Sequence, residues 1–64
     1  MALEPRTRVR FSYMNQVVEG TVKGMSKKDL KQAKGADKSK VQITSKGAHK
    51  GTTVILPTRR FTVL

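Results

Sequence analysis

The sequence predicts a mainly β fold, in which five short antiparallel strands form a sheet that curls into a small barrel. Both ends of the chain alternate apolar and polar residues in short runs, as half-buried strands do. A middle stretch from Lys23 to Lys50 carries nine lysines and two aspartates and must therefore be solvated surface. The 64 residues suffice for one domain with a small core, and curling would protect the edges of its sheet.

The first part of the chain is predicted to form a hairpin after a lead-in over residues 1–6. Residues 8–13 alternate strictly, with valine and aromatic side chains on one face and arginine and serine on the other. The Asn-Gln pair at 15–16 is the expected turn, because asparagine tolerates a left-handed backbone. The return strand covers residues 17–25, and Gly20 inside it indicates a sharp bend or a bulge.

Residues 26–39 are predicted to be a lysine-rich loop or a short helix between the second and third strands. Ser26 can cap a helix N-terminus, and Asp29 would lie in the first turn, where negative charge is favoured. Leu30 and Ala33 would form the packed side of such a helix. Helices this short are marginal in water, so the sequence leaves both alternatives open.

The alternation resumes after this segment. Residues 40–44 are the third predicted strand, with Val41 and Ile43 facing inward. A loop with two glycines follows over residues 46–51, and residues 52–56 form the fourth strand, which ends before a proline.

The end of the chain carries a resemblance to a known fold. Residues 58–60 are predicted to form one 3₁₀ turn, and residues 61–64 a last strand with Phe61 and Val63 facing inward. Over residues 7–64, the order of hairpin, long loop, two strands, proline-initiated turn and final strand resembles the SH3-like small barrel.

A shorter pattern within that region resembles a KOW-type element, the strand-loop-strand unit of several ribosomal and transcription-associated proteins. The pattern consists of Val41-x-Ile43, then Gly47-x-x-Lys50-Gly51, then Val54. In those families the barrel is mainly a docking platform for nucleic acid or protein, and the resemblance implies the same here.

The charge of the chain predicts its partner class. Fourteen lysines and arginines against four acidic residues give a formal charge of +10, and a bound polyanion would relieve the resulting self-repulsion. We therefore expect binding to nucleic acid, DNA or RNA, mainly at phosphates and with little sequence readout. The predicted binding residues are Arg8, Arg10, Lys23, Lys27, Lys28, Lys31, Lys34, Lys38, Lys40, Lys46, Lys50, Arg59 and Arg60.

The arginines in this set lie at two places. Arg8 and Arg10 share one strand face and are about 7 Å apart, close to the phosphate spacing along one strand of a duplex. Arg59 and Arg60 lie at the turn before the last strand. The alternative for this group is ordinary surface pairing with one of the two glutamates.

The three aromatic residues and the histidine indicate what kind of binding to expect. Phe11, Tyr13 and Phe61 all fall on predicted inward faces, so they are expected to be core. Single-strand binders need exposed stacking platforms, so duplex or folded nucleic acid is favoured. His49 is expected to be an exposed loop residue.

Catalysis and metal binding find no support in the sequence. The chain has no cysteine, one histidine and four scattered carboxylates, from which no nucleophile pair, acid-base pair or metal site can be assembled. The glycines at 47 and 51 do not have the spacing of a phosphate-binding Walker loop. We therefore expect a non-enzymatic protein without a cofactor.

Two other functions remain open. One is a protein-interaction module that docks on an acidic partner surface, as a small phage or virus factor does on host machinery. The other is a ribosome-associated structural protein. The sequence contains no apolar run long enough to span a membrane and no signal-peptide core near its first residues. We expect no membrane association and a cytoplasmic or nucleoid-associated location.

Overall fold

A computed structural model describes residues 3–34 and 37–64 and contains one antiparallel sheet, one short α-helix and one 3₁₀ turn. The elements are β1 (Arg8–Tyr13), β2 (Gln16–Lys23), α1 (Lys27–Ala33), β3 (Lys38–Ile43), β4 (Thr53–Pro57), the 3₁₀ turn (Thr58–Arg60) and β5 (Thr62–Val63). The predicted mainly β class with five antiparallel strands is confirmed. The segment between the second and third strands contains a helix.

The sheet is open, and its two edge strands approach each other without pairing. The strand order is β4-β3-β2-β1-β5, so β4 and β5 are the edges. The 3₁₀ turn connects them across the sheet. At its start, the Thr58 N–H donates to the Asp37 carbonyl ahead of β3 at 3.0 Å, and at its end Arg60 donates to the Ser12 carbonyl of β1 at 3.4 Å. Only four residues, 58–61, separate the two edge strands along the chain, and three of them form a 3₁₀ turn that rises about 2 Å per residue. This connection is shorter than the width of about 19 Å that a flat five-stranded sheet would have, so the sheet is curled.

The turn of the first hairpin lies one residue earlier than predicted. Met14 and Asn15 have positive φ angles of 50° and 64°, and β2 already begins at Gln16. A two-residue turn with two left-handed residues has the twist that matches a hairpin. Asn15 suits this conformation, and Met14 was overlooked because methionine rarely adopts it.

Strand β3 begins two residues earlier than predicted. The prediction missed its start because Ser39, which is polar, is buried there. Ser39 has no exposed surface, and its hydroxyl contacts the Leu3 N–H at 3.0 Å and the Thr58 hydroxyl at 2.8 Å. Its hydrogen bonds therefore offset its burial. Strand β1 has the predicted bounds, and β2, β4 and β5 differ from prediction by one or two residues at their ends, as is common.

The core lies on one face of the sheet. Its buried members are Val9, Phe11, Val18, Val22, Val41, Ile43 and Phe61. The inward faces predicted for β1 and β3 are thereby confirmed. Val63 was predicted to face inward, and it lies opposite Val9 on the core face. It is nevertheless 55% exposed, because β5 is a two-residue edge with no strand beyond it.

Gly20 is required by a close approach of two strands. The pairing of β2 with both neighbours passes through Gly20 without an inserted residue, so the bulge suggested by the sequence is absent there. A Cβ atom at Gly20 would lie 2.5 Å from the Gln42 carbonyl oxygen and 2.7 Å from Cγ1 of Val41. The first neighbour is backbone and cannot move aside cheaply.

We expect Gly20→Ala to lower the free energy of unfolding by about 1–3 kcal/mol, because the added methyl overpacks the junction of β2 and β3. Urea denaturation followed by circular dichroism measures this change. Gly24→Ala is the matched control, since a Cβ at Gly24 meets no atom within 4 Å. Equal stability of the two variants would contradict the steric explanation.

Candidate nucleic-acid interface

Helix α1 forms because both of its ends are capped. The Ser26 hydroxyl accepts a hydrogen bond from the Asp29 N–H at 3.2 Å, and the Asp29 carboxylate accepts one from the Ser26 N–H at 3.0 Å. This reciprocal pair is a capping box. At the other end Lys34 is left-handed, with φ at 53°, and its N–H donates to the Lys31 carbonyl at 3.1 Å.

The sheet-facing side of α1 differs from the predicted one. Ala33 is buried as expected, but Leu30 is 56% exposed, so its predicted packing was wrong. Asp29 is bound to the sheet, and Ala33 lies four residues later on the same side of the helix. Leu30 is rotated about 100° away from Asp29 and therefore faces solvent.

An ion pair connects α1 to the sheet. Lys40 of β3 donates to the Asp29 carboxylate at 3.0 Å, and the two side chains are 28% and 15% exposed. The Ser26 backbone N–H and then the Lys40 ammonium hold the pKa of the Asp29 carboxyl below its usual value. The carboxylate is therefore charged at neutral pH, and Lys40 positions the helix.

Six of the predicted binding residues lie at one end of the sheet, where β2 ends and β3 begins. We call them the helix-end lysines. They are Lys23, Lys27, Lys28, Lys31, Lys34 and Lys38. Five are exposed and Lys38 is half-buried, and none forms an ion pair with another described residue. Their charge is therefore not neutralised within the described part of the molecule.

Arg8 and Arg10 lie on the face of β1 opposite the core, and both contact Glu19 on β2. The guanidinium-to-carboxylate distances are 3.8 Å for Arg8 and 3.2 Å for Arg10. The surface pairing considered from the sequence is therefore found. The two arginine side chains nevertheless remain 73% and 53% exposed. One carboxylate neutralises only one of two guanidinium groups, so a positive charge remains on this face.

Lys46 and Lys50 do not join the helix-end lysines. They are exposed in the loop between β3 and β4, at the other end of β3. The expectation that His49 in this loop is exposed was wrong. Its ring is half-buried and packs edge-to-face on Tyr13, with centroids 5.0 Å apart.

The last two predicted binding residues, Arg59 and Arg60, lie in the 3₁₀ turn and differ in their contacts. Arg60 is exposed but donates to the Ser12 carbonyl, which holds it beside β1. Arg59 is exposed and makes no hydrogen bond to another described residue. Arg59 is thus an exposed positive charge in the turn between β4 and β5.

The aromatic residues contribute mainly to the core. Phe11 and Phe61 are buried with ring centroids 4.9 Å apart, which confirms their predicted role. Tyr13 is half-buried at the edge of this cluster. All three aromatic residues of the chain are described, and none of them is fully exposed.

Two features of this end of the molecule were missed from the sequence. Leu30, together with Lys27, Lys28 and Lys31, lines a shallow surface depression. Asp29 connects the helix to β3, as described above. The available signal for Asp29 was its position as a single acidic residue inside a run of lysines, three residues after a capping serine.

Within residues 3–34 and 37–64, no three histidine or acidic side chains are grouped as a metal site requires. The one α-helix described is too short to cross a membrane.

The chain was compared with protein-family models, with curated proteins and with solved structures. None of the three comparisons found a match. The function is therefore inferred from the residues of the chain itself.

Proposed function

We propose that this protein is a non-enzymatic nucleic-acid-binding protein that contacts phosphates mainly through the helix-end lysines. The observation that supports this most is their arrangement. Six lysines, none of which forms an ion pair with another described residue, project from one capped helix and the two strand ends that flank it. A regular polyanion can meet several of them at once, and the release of its counterions then drives binding.

The placement of the acidic residues supports the same proposal. Glu19 and Asp29 are in ion pairs, and Asp37 accepts a hydrogen bond from the Thr58 hydroxyl at 3.0 Å. Three of the four acidic side chains of the chain therefore have partners inside the molecule. The field around the helix end is correspondingly positive.

The chemistry of lysine favours binding without sequence readout. An ammonium group on a flexible stem contacts phosphate as a point charge and lacks the planar fork with which arginine reads guanine. No exposed aromatic ring is available for stacking in the described residues. We therefore propose duplex DNA or folded RNA as the ligand, and a cytoplasmic or nucleoid-associated location where such ligands are found.

The SH3-like fold remains part of this proposal. The curl of the sheet and the 3₁₀ turn between its edge strands support it. The KOW-like pattern falls on β3, the following loop and β4, which is the strand-loop-strand arrangement that the resemblance implies. Docking of nucleic acid or protein is the common use of such barrels and agrees with the charge argument.

The dependence of affinity on salt tests the proposal. If about six lysines each neutralise one phosphate of duplex DNA, log Kd should change with log salt concentration with a slope of magnitude about 5. Fluorescence anisotropy with a labelled mixed-sequence duplex, from low to physiological salt, measures this slope. A structured RNA of similar length gives the preference between the two ligands. No binding at low salt, or an affinity independent of salt, would overturn the proposal.

A protein partner with an acidic surface is the second candidate, and Leu30 favours it. An exposed leucine that lines a depression together with three lysines offers an apolar anchor inside a positive surface. The variant Leu30→Ala separates the two candidates. It should weaken binding to an acidic partner protein, which uses the apolar anchor, and leave binding to duplex DNA unchanged, because phosphates contact only the lysines.

A further inference from the structure

Two lysines face each other across the neighbouring strands β2 and β3. Lys23 and Lys40 are direct partners in the register, so their side chains leave the same face of the sheet. Like charges in this position repel and destabilise strand pairing. The arrangement therefore costs stability unless an anion lies beside it.

The molecule supplies one anion at this place. The Asp29 carboxylate lies 3.0 Å from the Lys40 ammonium, and it forms no ion pair with Lys23. Lys23 itself is exposed and has no acidic partner among the described residues. One of the two facing ammonium groups is thus neutralised and the other is not.

We propose that Lys23 and Lys40 form a binding site for one phosphate group, and that Asp29 is a built-in competitor which the phosphate displaces from Lys40. This inference deepens the proposed function and rests on it for the identity of the natural ligand. This site differs from the rest of the helix end in one respect. Its affinity for phosphate depends on the competition between the phosphate and the Asp29 carboxylate for Lys40.

The hydrogen bonds of Asp29 make this exchange feasible without unfolding the helix. The same carboxylate oxygen, Oδ2, accepts from both the Ser26 N–H and the Lys40 ammonium. When Lys40 turns toward a phosphate, the Ser26 hydrogen bond and the capping box remain. A phosphate offers more acceptor oxygens than the carboxylate and can contact both ammonium groups, which Asp29 does not.

The test compares two variants that raise the net charge equally. Asp29→Asn removes the competitor, and asparagine can still accept a hydrogen bond from the Ser26 N–H. Glu4→Gln is the matched control, because Glu4 is exposed and its side chain has no partner among the described residues. We expect Asp29→Asn to tighten duplex DNA binding by about tenfold more than Glu4→Gln does. We also expect its salt slope to equal that of the wild-type protein, because one phosphate occupies the site in both and only the cost of displacing Asp29 differs.

Repeating both substitutions in a Lys40→Gln background isolates the site. There the gain from Asp29→Asn should disappear, since no lysine remains to be released, whereas the small effect of Glu4→Gln should persist. An equal gain in both backgrounds, or equal effects of Asp29→Asn and Glu4→Gln, would overturn the inference. Circular dichroism of each variant checks that the helix and sheet are retained.

Inorganic pyrophosphate separates this inference from the proposed function. Its binding is followed by NMR through the side-chain resonances of Lys23 and Lys40. Tighter pyrophosphate binding by Asp29→Asn supports the site even if the wild-type protein binds no nucleic acid. If the wild-type protein binds duplex DNA and pyrophosphate does not shift these two lysines in either protein, the site is rejected and the proposed function stands.

Discussion

Replacing Phe11 by alanine is expected to lower the free energy of unfolding by about 3–5 kcal/mol. The Phe11 ring is 4% exposed and contacts Phe61, with centroids 4.9 Å apart, near the middle of the small core. Its removal leaves a cavity that the few surrounding side chains cannot fill. A domain of this size has a total stability of only a few kcal/mol, so the variant should be largely unfolded at room temperature.

Thermal and urea denaturation measure this loss, and Val63→Ala is the control. Val63 is also an apolar strand residue, but it is 55% exposed, so its truncation should change stability by less than about 0.5 kcal/mol. A Phe11→Ala protein that unfolds at the wild-type urea concentration would show that the ring does not support the core.

Replacing Lys27, Lys28 and Lys31 by glutamate should abolish most nucleic-acid binding while leaving Tm nearly unchanged. Three phosphate contacts are lost, so the magnitude of the salt slope should fall by about 3, and the new carboxylates also repel the ligand. The three side chains are exposed on α1. Glutamate is favourable at positions 27 and 28 in the first turn and unfavourable at position 31 in the last turn, so the effects on the helix largely cancel. Anisotropy titrations at several salt concentrations, with Tm measured on the same samples, test both parts.

Two double variants separate the location of the charge from its total. Lys27→Glu with Lys28→Glu and Lys46→Glu with Lys50→Glu change the net charge by the same amount, but the second pair lies at the other end of β3. The first variant should lose more affinity. Equal losses would mean that total charge, and not the helix end, determines binding.

The strands could be predicted where the alternation of side chains coincides with burial. Strand β1 alternates without exception, and its valine and phenylalanine are buried as its pattern requires. The start of β3 was missed because Ser39 is buried and polar, and its hydrogen bonds to Leu3 and Thr58 come from distant parts of the chain. The exposure of Val63 was missed for a related reason, since a pattern shows which face a residue is on but not whether that face is covered.

The candidate site could be predicted in its composition but not in its arrangement. The excess of lysine between Lys23 and Lys50 was visible in the sequence, and this stretch contains all six helix-end lysines. Which lysines and arginines have a carboxylate partner could not be predicted, because this depends on contacts between residues that are distant in the sequence. Lys40 with Asp29 and Arg10 with Glu19 are examples, since each pair joins residues that are nine or more positions apart.

The position of β5 has a consequence for how the protein is made. This strand pairs with β1, and the Leu64 N–H donates to the Arg8 carbonyl at 2.9 Å, so the sheet joins the two most distant parts of the described chain. A ribosome releases Arg8 long before Leu64, and until then one edge of β1 has no neighbour. Completion of the fold must therefore wait until Leu64 has left the ribosome, and such distant pairings form slowly, in about milliseconds to seconds.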